Sequence, residues 1–417
     1  MMTRRTILAL TLLLAAFLNA PAQQYDWLQQ LEAHPEYLDG TDRLCPTGPE
    51  KLSPAPKGYK PFYLSHYGRH DARHAWQHDL YKWLNEVFTA AEASGNLTPL
   101  GVEFKRKYDL LYPEVRYRTG ELSRVGWLHQ QQLAGRMYRN FPGIFSKGAR
   151  VTARSSTSVR CVMTMSSFCL GLKGLNPGLE IEQQFGRIYT PAVIPQSSDN
   201  PFRDKNFQKA PLRFDETWAH YVEHTVDYRT ILSRLFKDVD KALPFDKQWN
   251  FTSYLYFLAN GMNSLEQETR FYEIFTQQDR IDLWKADCFQ FFAEIWPTHP
   301  GYRSIVDDLI AKADERIASG RKGADLRFGH DYTLLPLLML LGVNGLDHNI
   351  ETPEDIPVWC RVSDIPMGAN LHLVFYKSKK DPEILFKVLL NGQEARLPLE
   401  TTSWPYYDWA VFKARYQ

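Results

Sequence analysis

The chain is poor in cysteine, in net charge and in long apolar runs, and each shortage excludes something. Its five cysteines, Cys45, Cys161, Cys169, Cys288 and Cys360, are an odd number, so at least one is unpaired unless two chains join. No two form a CxxC pair, and none of their spacings is that of a metal-ligand set. If Cys161 and Cys169 share a helix, their eight residues of rise, ~12 Å, forbid a disulfide between them. The formal net charge is only +1, without the basic excess of a nucleic-acid binder. Any attraction for an anion must then be local to a cleft. Beyond the N-terminus no run is long and apolar enough to cross a membrane; Leu334–Val343 is about half the ~20 residues needed. Low-complexity tracts and internal repeats are also missing.

What is present begins with residues 1–22. Arg4 and Arg5, then apolar Ile7–Leu18, then Ala20-Pro21-Ala22 have the order of a secretory signal. No cysteine follows the cut to carry a lipid. An exported, soluble protein without stable membrane insertion is expected, periplasmic or secreted. Aromatics are plentiful, with 22 Tyr, 24 Phe and 11 Trp. They suit large packed cores; a sugar-stacking surface is the other reading.

Periodicity divides the 417 residues into alternating elements. Residues 23–57 read as an irregular lead-in. Tyr59–His66 reads as a strand, and Asp79–Ala93 and Val102–Leu111 as helices by their apolar spacing. Ser123 is a plausible N-cap for a third helix. Ala149–Ala153 reads as a strand and is followed by a helix to about Leu172, which Gly174, Asn176 and Pro177 end. Residues 178–320 turn mostly helical and aromatic. Strand pattern returns at Leu326–Phe328, then an apolar helix over Thr333–Leu341, then strands at Leu371–Tyr376 and Ile384–Leu390. The expected fold is α/β: a central mixed sheet with helices on both faces, built from residues 23–177 and 321–417, plus an inserted α-helical domain over 178–320.

The chemistry concentrates in Tyr63–His74, where Arg69, His70 and Arg73 fall within five residues. Arginine forks match phosphate oxygens. Ligand sites in α/β sheets lie beyond strand carboxyl ends, and His70, Arg154 and His330 each follow an expected strand. Phosphomonoester hydrolysis needs neutralised phosphoryl oxygens, a nucleophile and a proton for the leaving alkoxide. Arg69, Arg73, Arg154 and His330 could bind the phosphate, His70 could attack phosphorus, and Asp331 could be the general acid. No metal or cofactor is required, because arginines do the neutralising. The partner expected is a small phosphate ester, with no nucleic acid; oligomeric state is open.

Arg69-His70-Asp71-Ala72-Arg73 resembles the RHGxR signature of the histidine phosphatase superfamily, and His330-Asp331 the HD pair of its acid phosphatase and phytase branch. Arg154 sits where that branch keeps a third phosphate-binding arginine. Gly120–Gly126, Ala153–Cys161, Phe328–Gly342, Pro366–Tyr376 and Val388–Glu394 resemble segments of multiple inositol polyphosphate phosphatases. The resemblance implies a phosphohistidine enzyme acting on inositol polyphosphates or related anionic esters, with His70 as nucleophile and Asp331 as proton donor. It departs in two places. Asp71 stands where the signature has glycine, and His330-Asp331-Tyr332 stands where the inositol polyphosphate subgroup has His-Ala-Glu.

Other readings stay open beside this one. Asp71 would put a carboxylate near the phosphate, which motivates a non-catalytic phosphate-ligand-binding protein on the same fold. A broad-specificity acid phosphatase is a further alternative. His66, His70, His74 and His78 recur every four residues and would form a metal row on one helix; His74 and His78 otherwise read as surface residues. Arg160 reads as structural.

Overall fold

A computed structural model of the chain describes residues 27–48, 51–198, 200–203, 215–347 and 362–417. The expected signal segment, and Cys360, lie outside them. Its centre is an eight-stranded mixed sheet, ordered β3-β2-β4-β1-β5-β6-β7 with β8 pairing β6. The strands are β1 (Tyr59–Arg69), β2 (Arg150–Ser155), β3 (Glu180–Phe185), β4 (Gly323–Gly329), β5 (Asn370–Ser378), β6 (Leu385–Leu390), β7 (Gln393–Ala395) and β8 (Tyr407–Asp408). β1, β4, β2 and β3 run parallel, and β5 turns the sheet antiparallel. The α/β expectation therefore holds, one sheet being built from strands on both sides of the chain's helical middle.

Alternation along β1 explains the two-sided cover. Leu64 packs into a core with Val151, Ala153, Ala324 and Phe328, roofed by Leu133 and Met137 of one helix and Met165, Phe168 and Leu172 of another. Tyr63 and Tyr67 point to the opposite face, into a core with Ile305, Leu309, Leu334 and Leu338. The longer helices are α1 (Leu80–Ala93), α2 (Pro99–Val115), α3 (Arg124–Asn140), α4 (Val159–Leu175), α5 (Phe245–Gly261), α6 (Gln277–Ile295), α7 (Arg303–Ser319) and α8 (Asp331–Leu341). Ser123 does cap α3, its hydroxyl accepting from the Gly126 amide at 3.1 Å.

The division between sheet and helical units differs from the one expected. β3 lies inside 178–320 yet adds to the sheet beside β2, and α7 covers the sheet. Conversely Leu84, Phe88, Phe104 and Tyr108 of α1 and α2 pack with Phe236, Phe251, Leu255 and Phe271 in a separate helical core. α6 joins the two, giving Leu283 to the helical core and Cys288 and Phe292 to the sheet core. Helix periodicity locates an amphipathic face but not its partner. The lead-in is also more ordered than expected, with a 3₁₀ segment at Pro35–Asp42. Cys161 and Cys169 share α4, Cys45, Cys161 and Cys169 are free and buried, and Cys288 is buried.

Candidate active site

Strand register gathers the site. Arg69 of β1 pairs with Gly329 of β4, so His70 and His330 are the next residues of adjacent parallel strands. The His70 amide donates to the Gly329 carbonyl at 2.8 Å, and the Ser156 amide to that of Phe328 at 3.1 Å. Three strand ends thus open side by side, where such sheets place their ligands. The His70 and His330 rings lie 5.5 Å apart, edge to face. Asp331 is the first residue of α8.

His70, Arg73, Arg160 and Asp331 line one end of a cavity of about 700 Å³. Arg69 is fully buried behind it. Its Nη1 donates to the carbonyls of Thr41 and, at 2.7 Å, Ile365. Its Nη2 lies 2.7 Å from Asp331 Oδ2. Arg73 Nη2 is 3.9 Å from Asp42 Oδ1. Buried guanidinium nitrogens without a hydrogen-bond or ion-pair partner remain here: Nε of Arg69, Nε of Arg73 and Nε of Arg160. Unmet buried donors are costly, and an anion's oxygens are the acceptors that would suit them.

The imidazoles are neutral for a stated cause. Burial, then the Arg160, Arg69 and Arg73 charges, hold His70 well below its ordinary range. Burial and Arg160 push His330 down to about 3. Nδ1 of His70 lies 3.0 Å from the Asp71 carbonyl. A carbonyl only accepts, so Nδ1 carries the proton and Nε2 keeps the lone pair. Burial alone would raise the Asp331 carboxyl, but Arg69 and Arg73 outweigh it and hold it below the usual range. Asp42 is the reverse case: burial raises it despite Arg73 and Arg69.

Of the residues expected to bind phosphate, Arg69, Arg73 and His330 meet here and Arg154 does not. β2 runs on through Ser155, so Arg154 lies within the ladder rather than past its end. Its side chain leaves by the sheet face, reaching Asp308 at 3.2 Å and Gln184 at 2.9 Å. Arg160, in the first turn of α4, lines the cavity instead, with Nη2 3.3 Å from His330 Nδ1. The expectation for Arg154 is corrected on this point. Strand alternation was the signal that could have found it: Val151 and Ala153 are core-facing, so Arg154 takes the other face. Asp42 and Ser156 also went unsingled, Ser156 Oγ being 3.2 Å from His330 Nε2.

The histidine row does not form, because its first member is in a strand. His66 packs inside the sheet against Phe168, Phe328 and His372. His74 is buried rather than superficial, and His78 is exposed on the cavity lining. Among the described residues no group of three or more His, Cys, Asp or Glu is placed to hold a metal.

The family model of the histidine phosphatase superfamily (branch 2) matches residues 69–391. The chain belongs to that superfamily. Solved structures agree on the fold. A multiple inositol polyphosphate phosphatase from Bifidobacterium longum, complexed with inositol hexasulfate, superposes with a TM-score of 0.74 at 17% identity, covering 91% of this chain and 97% of its own. A phytase from D. castellii gives 0.70 at 14%, covering 91% and 84%. One from Hafnia alvei gives 0.56 at 12%, covering 87% and 97%. No curated protein sequence matches the chain.

For a histidine phosphatase the unusual residue is Asp71, and its carboxylate points away from the cavity. Oδ1 accepts from the Ala72 amide at 2.7 Å, and Oδ2 from Gln130 Nε2 and, at 2.7 Å, His129 Nδ1. His129 Nε2 is 2.7 Å from the Cys45 carbonyl. With a carboxylate on one side and a carbonyl on the other, both ring nitrogens are donors, and the ring is cationic. Its burial opposes this, but the Asp71 charge and hydrogen bond outweigh burial and raise its pKa. Gly368 completes the pocket: at φ +75° a Cβ there would stand 2.7 Å from Asp71 Oδ2. The carboxylate thus ties the loop to α3 rather than crowding the phosphate.

Proposed function

We propose that this histidine phosphatase hydrolyses phosphomonoesters through a phosphohistidine at His70. The observation that carries the reading is the partnerless donors of Arg69, Arg73 and Arg160 around a neutral His70 whose Nε2 is free. In the first step the His70 Nε2 lone pair bonds to phosphorus, the P–O ester bond breaks, and Asp331 gives its proton to the departing alkoxide. In the second, Asp331 takes a proton from water as its oxygen attacks phosphorus, the N–P bond breaks, and phosphate leaves.

Binding itself readies the acid. Beside Arg69 and Arg73, Asp331 is ionised. A phosphate dianion on Arg69, Arg73 and Arg160 neutralises the charges that held the carboxyl down, and its own charge raises it. His330 fits the role of a further ligand to the phosphoryl oxygens, with Ser156 and Arg160 holding its ring. The starts of α4 and α8 at the cavity add their positive helix ends.

Export is part of the proposal and rests on the pattern of residues 1–22; no helix among the described residues is long and apolar enough to cross a membrane. The buried, satisfied Asp71 weakens the case for a purely binding protein. Inositol polyphosphates and related anionic esters remain the substrate class suggested by the sequence resemblance. The test is a rapid quench during turnover. An alkali-stable, acid-labile phosphoenzyme is expected in the native protein and not in His70→Ala, which should also release no phosphate. Equal release by the two would reject the assignment.

A further inference from the structure

Past the phosphate end, the lining of the cavity changes character. Trp76, Trp249, Tyr254, Phe257, Phe291 and Tyr332 line it there. They come from the loop after β1, from α5 and α6, and from the start of α8. The aromatic wall begins beside the phosphate end, since the Tyr332 ring stacks on His330 at 4.7 Å. Trp76 is 54% exposed, so its ring is available at the mouth.

Charge is divided along the same axis. Two guanidinium groups, Arg73 and Arg160, occur in the described lining, against four carboxylates, Asp42, Asp79, Asp287 and Asp331, and no lysine. Both guanidinium groups, and Arg69 behind them, surround His70. Asp79 belongs to the aromatic part, accepting from the Tyr254 hydroxyl at 2.8 Å. A single phosphate would therefore meet the Arg73 and Arg160 guanidinium groups, with the Arg69 charge behind them. A second or third phosphate on the same molecule would meet rings, Asp79 and the exposed His78, and would lose water without gaining a described lysine or arginine. A flat ring suits that wall, by area buried and by ring–ring contact.

We infer that the cavity takes a phosphomonoester with one phosphate group, on an alcohol that carries an aromatic ring, in preference to a polyphosphorylated ring. The inference rests on the phosphatase reading above and narrows its substrate. The experiment compares 2-phenylethyl phosphate, ethyl phosphate and inositol hexakisphosphate on the full protein. The first two release unactivated alkoxides, so their difference reads recognition of the ring rather than leaving-group acidity. Phenylethyl phosphate is expected to exceed both others at least tenfold in kcat/KM. Trp76→Ala should raise KM for phenylethyl phosphate at least threefold more than KM for ethyl phosphate. Because Trp76 is exposed, that variant should fold, and Phe291→Ala provides a second. Inositol hexakisphosphate turned over as well as or better than phenylethyl phosphate would overturn the inference and leave the phosphatase reading standing. So would equal kcat/KM for the phenylethyl and ethyl esters. No turnover of any of the three would instead overturn the phosphatase reading itself.

Discussion

Arg154 and Arg160 are six residues apart in one segment, yet they have different neighbours and should have different roles. Arg160 lines the cavity with an unpaired Nε; a hydrogen bond to a charged group contributes roughly 1.5–3 kcal/mol. Arg160→Ala should lower kcat/KM by about tenfold to a hundredfold, with little change in melting temperature. Arg154→Ala should leave kcat/KM unchanged. Asp308 would still pair with Arg327, whose Nε is 2.9 Å away, so the loss of stability should stay within ~1 kcal/mol. Steady-state kinetics and thermal melts of both variants check this.

Asp331 can be tested by leaving group. Asp331→Asn should cost alkyl phosphates about a hundredfold or more in kcat, the range of general acid catalysis. Aryl phosphates, whose phenoxide needs little protonation, should lose far less; equal losses would count against the proton-donor role. For the native protein, alkyl phosphate turnover should fall as pH rises above the acid range, because Asp331 must be protonated when it acts. His70 stays an available nucleophile well into acid, since burial and the arginines keep it neutral. A pH–rate profile reads both limits.

At the scale of elements, the loop after β1 is held to the sheet and to α3. Gly126, in the first turn of α3, lets the helix approach the loop: a Cβ there would lie 2.3 Å from the Ala72 carbonyl oxygen. Asp71 is the polar part of the same joint. Restoring glycine, the signature residue, by Asp71→Gly would leave His129 Nδ1 and Gln130 Nε2 without their acceptor. Leaving buried groups unsatisfied costs about 1–3 kcal/mol, more when charged. Denaturant melts should show Asp71→Gly less stable by roughly 2–3 kcal/mol, without faster turnover. A more active variant of native stability would return Asp71 to the phosphate site.

For the whole molecule, buried neutral histidines set an acid-side limit. Burial, then Arg327, pushes His66 down to about 3, and burial with Arg160 pushes His330 to about 3. Both lie below the ordinary value of 6.5, so the unfolded chain binds more protons than the folded one. Their contribution is complete above about pH 6.5 and drains as pH falls toward 3. At pH 4.5 each should have removed on the order of 2 kcal/mol. The melting temperature should therefore drop between pH 7 and 4.5, and inorganic phosphate should restore part of it by binding the folded state. Scanning calorimetry with and without phosphate tests both parts.

The order of elements was legible because burial imposes a period of two on strands and 3.6 on helices, and that period is local. Arg69, His70, Arg73 and His330-Asp331 were legible because these residue types cluster at or just after segments with a strand pattern. Alternation along β2 already sets Arg154 on the face opposite Val151 and Ala153, but that Arg160 replaces it at the cavity was not legible. It depends on how far β2 runs before its end, and on which face of the sheet Asp308 of α7 covers. The placement of Asp42 was not legible either, since it needs the lead-in to fold back across a distant strand end. Local sequence determined which side chains were available for phosphate chemistry and roughly which strands carry them, though β1 runs on to Arg69 and β2 to Ser155. The tertiary structure decided which of those side chains share the cavity, that Asp71 turns into the core, and that the wall beyond the arginines is aromatic and acidic. Those outcomes depend on contacts between residues far apart in the chain, to which local periodicity is blind.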